Sequence, residues 1–142
     1  MASTVEIRPF RAAETDEVVA LWTECGLVRP WNDPRKDIAR KASVQPELFL
    51  VAVEGDRLVG TAMAGYDGHR GWLYYVAVKP DASGRGIGRA LVFDAEAKLL
   101  ALGCPKINIL VRDGNVAAAE FWSRLGYTAD ASASLGRRLV DD

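Results

Sequence analysis

Ser83-Gly84-Arg85-Gly86-Ile87-Gly88-Arg89-Ala90-Leu91 stands mid-chain, just after an apolar run that Pro80 halts. Three glycines in five positions let a backbone approach a ligand closely and turn its N–H groups outward. From Ile87 the apolar residues Leu91, Ala95, Leu99 and Leu102 recur at helical spacing, so a helix begins where the glycines end. A helix start carries unpaired N–H groups and the positive end of the helix dipole. The stretch therefore reads as an anion site best suited to phosphate, with Arg85 and Arg89 adding charge.

Two common phosphate loops do not fit. A P-loop ends in Gly-Lys-Ser/Thr, which is missing. The dinucleotide pattern G-x-G-x-x-G fails on Arg89 when counted from Gly84 and on Leu91 when counted from Gly86.

Upstream, Val5 to Phe10 reads as a first strand. Val18, Leu21, Trp22 and Cys25 then mark a helix that Gly26 can end, with acids near its start. Asp33-Pro34 is an N-cap followed by a first-turn proline, opening a second helix to about Ser43. Leu48–Val53, Leu58–Tyr66 and Trp72–Val78 form a three-strand antiparallel meander, joined by Glu54-Gly55-Asp56-Arg57 and by Asp67-Gly68-His69-Arg70-Gly71.

Downstream of the glycine-rich helix, Gly103 and Pro105 precede a strand over Lys106–Val111 and a helix over Asn115–Leu125 closed by Gly126. Short strands around Tyr127-Thr128 and Ala133–Leu139 complete the reading. The order β-α-α-β-β-β-α-β-α-β-β predicts an α/β (α+β) fold: a mixed, mostly antiparallel sheet of 6–7 strands flanked by about four helices, in one domain over residues 1–142.

Composition narrows the function classes. A net charge of -1 argues against a nucleic-acid partner held by bulk charge. No run is long enough to span a bilayer. Met1-Ala-Ser-Thr-Val-Glu lacks the apolar region of a signal peptide, so the cytoplasm is the expected compartment. Cys25 and Cys104 are too few for a disulfide framework and lack zinc-ligand spacing, so no metal site is expected.

Taken with Asn115 and Phe121-Trp122-Ser123-Arg124-Leu125-Gly126-Tyr127, the glycine-rich stretch resembles that of GNAT (GCN5-related) N-acetyltransferases. Their coenzyme loop reads Q/R-x-x-G-x-G/A, and the pattern falls here on Ser83, Gly86 and Gly88. Their later N…F-Y-x-x-x-G-F/Y stretch falls on Asn115, Phe121, Trp122, Gly126 and Tyr127. The likeness runs from about Val5 to Leu139 and is closest to the small YpeA-like bacterial branch, through Arg29-Pro30-Trp31-Asn32-Asp33-Pro34, Gly65 to Gly71 and Gly103-Cys104-Pro105-Lys106. Ser83 departs from Gln/Arg. Trp122 replaces the tyrosine that often protonates the departing thiolate; an indole N–H is no useful acid, and Trp122 reads as packing.

The resemblance implies acetyl-CoA as donor. Its diphosphate would rest on Ser83, Gly84, Arg85, Gly86, Ile87, Gly88 and Arg89, with Asn115, Phe121 and Trp122 also on the coenzyme side. Its pantetheine arm would pair with the backbone of Val76-Ala77-Val78, and an amide near Val76 would polarise the thioester carbonyl. Tyr74 and Tyr75 lie on opposite faces of their strand, so one of them, with Tyr75 preferred, would face the acetyl group. The catalytic candidates are then Tyr75 with His69 or Asp67 as base, although the latter two also suit plain turn chemistry. Tyr127, Tyr75 or water could replace the missing acid. Arg29, Trp31 and Asn32 fall where the acceptor site is covered.

An enzyme that acetylates an unidentified amine by direct attack in a ternary complex is thus expected, with Cys104 uninvolved. A non-catalytic acyl-CoA sensor and a scaffold with a vestigial loop are the competing readings, and a homodimer is compatible with any of them.

Overall fold

The computed structural model describes residues 4–142. Five strands form one sheet: β1 (Val5–Pro9), β2 (Phe49–Glu54), β3 (Arg57–Tyr66), β4 (Gly71–Val78) and β5 (Ile107–Ile109), in that spatial order. The first four pair antiparallel; β5 joins β4 in parallel. The helices are α1 (Thr15–Glu24), α2 (Pro34–Lys41), α3 (Ile87–Ala101) and α4 (Val116–Arg124).

Both faces of the sheet are covered. Leu50, Ala52, Val59, Ala64 and Leu73 pack with Leu91, Val92, Leu99 and Trp122 of α3 and α4. Phe49, Val51, Val53, Met63 and Ala77 pack with Val18, Leu21, Trp22 and Ile38 of α1 and α2. Burial on both sides explains why β2 reads as an uninterrupted apolar run instead of an alternating one.

Helix ends follow the sequence. Asp33 Oδ1 accepts from Arg35 N at 2.9 Å, with Pro34 opening α2. Behind α4, Gly126 N donates to Ser123 O at 3.0 Å and Tyr127 N to Trp122 O at 3.0 Å, the paired bonds of a Schellman end; α1 and α3 close in the same way around Gly26 and Gly103.

The mixed α/β architecture is as expected, but the sheet has five strands, not 6–7. The strand expected at Tyr127-Thr128 is absent because Tyr127 N–H is spent on closing α4. Ala133–Leu139 makes no ladder either: its residues are exposed, Leu135 almost fully. β5 is also shorter than the expected Lys106–Val111.

Candidate active site

β4 and β5 diverge. They pair only from Gly71 to Leu73, so the β4 edge from Tyr74 to Val78 has no strand beside it. On the other edge, Lys79 N donates to Val59 O at 2.8 Å. By strand alternation the main-chain groups of Ala77 then face β3, and those of Val76 and Val78 face the open edge. The divergence leaves a strand-length backbone edge free to pair with an extended ligand.

A bulge sits at the divergence. The β3–β4 register shifts between Thr61 and Met63, and Tyr75 has φ of 51°. A non-glycine residue held there costs on the order of 1–3 kcal/mol and persists only when its surroundings fix it. Those surroundings are visible. Thr61, fully buried in β3, donates through Oγ1 to Tyr75 O at 2.7 Å and accepts from Trp22 Nε1 at 2.9 Å. The Tyr75 ring stacks on Trp22, with centroids 3.6 Å apart and 9° between planes.

At the end of β4 the chain passes a 3-10 turn (Pro80–Ala82) and enters the glycine loop. Gly84 and Gly86 take φ of 77° and 79°, which only glycine adopts freely. Ser83 N donates to Pro80 O and Ala90 N to Gly86 O, whereas the N–H groups of Gly84, Arg85, Gly86, Ile87, Gly88 and Arg89 have no acceptor among the described residues. This run of donors at the head of a helix is an anion cradle. Phe121 backs it: a Cβ on Gly88 would stand 3.3 Å from the Phe121 ring, so glycine is needed for α4 to close on α3.

The charged groups of the loop are placed differently from expectation. Arg85, expected to add charge at the phosphate site, is engaged by Glu54 of β2 through both guanidinium nitrogens. The Ser83 hydroxyl closes its own turn, donating to Pro80 O at 2.8 Å. Arg89 lies over Phe93 at 5.0 Å without an ion pair.

On the α1/α2 side, the Tyr75 hydroxyl donates to Asp37 Oδ2 at 2.7 Å. Asn32 Nδ2 donates to the same oxygen at 2.5 Å and to Tyr75 Oη at 3.1 Å. Arg40 Nη1 reaches Asp37 Oδ1 at 3.1 Å. Burial and the Asp37 carboxylate push the Tyr75 hydroxyl far above its ordinary range. Trp31 is half exposed beside this cluster, and the Arg112 guanidinium, from the segment after β5, lies 5.8 Å from its ring. These two loops, one before α2 and one after β5, meet across the divergence.

Among the expected site residues, Tyr75, Val76, Ala77, Val78, Trp31, Asn32 and the loop from Ser83 to Arg89 are thus brought together. His69 and Asp67 are not. They occupy the β3–β4 turn, beyond Gly71 and so separated from Tyr75 by roughly 13 Å of strand at ~3.3 Å per residue. Asp67 Oδ1 accepts from His69 N and Arg70 N at 2.8 Å each, which also holds its carboxyl below the usual range. That is turn chemistry. Arg29 likewise turns to main-chain carbonyls, donating to Gly26 O at 2.6 Å.

Asn115 caps α4, its Oδ1 accepting from Ala118 N at 3.1 Å. Trp122 is buried edge-to-face against Phe121 and Tyr127. The Tyr127 hydroxyl donates to Glu96 Oε2 at 2.7 Å and is not a free acid. Cys104 is buried, with Sγ 3.3 Å from Lys106 O.

Three residues of the site escaped sequence reading. Asp37 looked like an ordinary first-turn helix acid, and Arg112, beside Asp113-Gly114, like part of a turn. Thr61 did carry a signal: a lone hydroxyl within Val59–Met63 must find a partner once buried.

A divergent sheet with an anion cradle at the end of β4 fits the acetyltransferase resemblance of the sequence, and the comparisons with known proteins agree. A family model described as "Acetyltransferase (GNAT) family" matches residues 11–127. The chain belongs to that family. It is 49% identical over 138 residues to an acetyltransferase of Yersinia enterocolitica, covering 97% of this chain and 98% of that one. It is 50% identical over 139 residues to an acetyltransferase of Sodalis glossinidius, with the same coverage. Among solved structures, aminoglycoside N-acetyltransferase AAC(6')-Iy in complex with CoA superposes with a TM-score of 0.78 at 16% identity, covering 99% of this chain and 98% of that one, a likeness of fold. Among the described residues, no helix is long and apolar enough to cross a membrane.

Proposed function

We propose that this chain, acting as one domain, transfers the acetyl group of acetyl-CoA to an amine by direct attack in a ternary complex. The observation that carries the reading is the continuity of two main-chain surfaces that no strand or helix pairs, although the Val78 carbonyl meets the weak donor Cys25 Sγ at 3.4 Å. The open β4 edge at Val76 and Val78 leads into the cradle of free amides from Gly84 to Arg89. An extended pantetheine arm ending in a diphosphate has donors and acceptors in that order. The Val76 N–H would polarise the thioester carbonyl and stabilise the oxyanion formed on attack.

The acceptor would enter from the opposite face, between Trp31 and the Asp37–Tyr75 cluster. Arg112 has no ion pair among the described residues, and its place over Trp31 favours an amine that also carries a carboxylate or another anionic group. No acyl-enzyme is involved, because Cys104 is buried and away from the cradle. With Trp122 packed in the core and the Tyr127 hydroxyl held by Glu96, coenzyme A departs as thiolate; a thiol titrating near ~8.5 is a tolerable leaving group without an acid.

The test is acetyl-CoA supplied with a panel of amines, amino acids and peptides, following free thiol and coenzyme affinity together. Thiol release that depends on an acceptor supports transfer. Tight binding without release on any acceptor identifies a sensor, and no binding identifies a scaffold.

A further inference from the structure

The Asp37–Tyr75 pair has a chemical consequence that neither residue has alone. The phenol proton is directed at Asp37 Oδ2, so Tyr75 Oη, which also accepts from Asn32, keeps one lone pair for a further donor with a carboxylate behind it. Asn32 supports both oxygens from one side. The facing groups from every packed element are few: Asp37 and Arg40 on α2, Trp22 on α1, and Asp142, whose Oδ1 accepts from Arg40 Nη2 at 2.5 Å. Two cations stand near: Arg40, which contacts the far oxygen of Asp37, and Arg112, which lies over Trp31 across the divergence and not against Tyr75. An acceptor reaching Tyr75 thus meets hydrogen-bond acceptors backed by negative charge, an arrangement that receives an ammonium group and can take a proton from it.

We propose that Asp37 and Tyr75 form a proton relay that deprotonates the acceptor amine, the tyrosine passing the proton and the aspartate receiving it. The inference rests on the acetyl-transfer reading above. The ammonium donates a proton to Tyr75 Oη while the Tyr75 hydroxyl proton moves to Asp37 Oδ2. The freed nitrogen lone pair then forms the N–C bond to the thioester carbonyl. The tetrahedral intermediate collapses with cleavage of the C–S bond, and the sulfur leaves with the bonding pair. The second nitrogen proton is lost as the amide forms and neutralises the thiolate. Asp37, partly solvent-exposed, returns its proton to water. Tyr75 remains neutral between steps, consistent with a hydroxyl that resists ionisation.

The geometry makes the bulge intelligible. Placing the residue before Val76 at positive φ turns its ring onto Trp22 and its hydroxyl toward α2, while the next main-chain group stays at the open edge. The oxyanion donor and the relay thereby come from adjacent residues.

The test is the pH profile of kcat/KM for Asp37→Asn and Tyr75→Phe, each checked for a native melt and for coenzyme affinity. With an acceptor titrating near ~10, both variants should lose about 10²-fold at pH 7 and recover most of it near pH 10, where the amine deprotonates itself. With an acceptor already neutral at pH 7, such as hydroxylamine or methoxyamine, the loss should shrink to within about threefold. The double variant should be no slower than the slower single one. A loss equal at all pH values and for both acceptor types would make the pair merely structural and overturn the relay, as would no loss at all. These outcomes are read against wild-type turnover. Absence of that turnover on every acceptor overturns the acetyl-transfer reading, and the relay with it, while a flat loss in an active enzyme overturns the relay alone.

Discussion

Thr61→Val tests whether the bulge at Tyr75 is held by the buried network. Valine keeps the shape of threonine and removes only the hydroxyl. Two hydrogen bonds vanish, from Trp22 Nε1 and to Tyr75 O, and the indole N–H is left buried without an acceptor. Net loss of two bonds plus one stranded donor comes to about 2–4 kcal/mol. For a chain of this length that is roughly a 10 °C drop in Tm, or a urea midpoint lower by about 1–2 M with unchanged slope. Thr61→Ser, which keeps the hydroxyl, should cost about 1 kcal/mol. Below the melting range, Thr61→Val should retain coenzyme affinity, because the cradle lies beyond Val78, yet lose about tenfold in kcat as Tyr75 relaxes. A destabilisation under about 0.5 kcal/mol with unchanged kcat would refute the argument. It would mean that the bulge is fixed by something other than Thr61.

Other outcomes follow from the same geometry. Gly86→Val forces a β-branched residue to φ of 79° and should weaken coenzyme binding at least tenfold by calorimetry. Glu54→Gln releases Arg85 toward the cradle and should tighten coenzyme binding about two- to fivefold, an effect that fades in high salt. Trp122→Tyr restores the residue common in the family, but Trp122 is core packing here; kcat should stay within about threefold while the Tm falls. The Glu14 carboxylate accepts from both Arg8 nitrogens and from Arg11 N, which lowers its pKa. Its contribution is therefore complete above the ordinary glutamate range near ~4.3 and lost as pH falls through the lowered folded value. Melts of wild type and Glu14→Gln should differ at pH 6 and converge toward pH 2.

Much of the fold could be read from local chemistry. Helix boundaries announced themselves because caps and Schellman glycines act over a few residues, as at Asp33-Pro34 and Gly126. The cradle was legible for the same reason. Tyr127 shows the limit of that reading: its strand-like neighbours suggested a sixth strand, but the N–H was already used by the preceding helix. The cluster around Tyr75 was less legible still. Asp37, Tyr75 and Asn32 converge only because the chain reverses between α2 and β4, and nothing local to Asp37 separates it from a solvated helix acid. His69 misled in the opposite sense, since a lone histidine draws the eye while its turn places it at the far end of a strand.

The bulge also sets where this chain can change its length. Residues can be added or removed in the Asp67–Arg70 turn without altering which side of the sheet any later residue faces. Deleting Tyr75 itself would restore a regular ladder with Val76 to Val78 on their present sides, whereas deleting a residue beyond the bulge, such as Ala77, would turn Val78 from the α3 side to the α1 side. The hairpin tip is free to drift among relatives, whereas the spacing from the bulge to the glycine loop behaves as a fixed ruler.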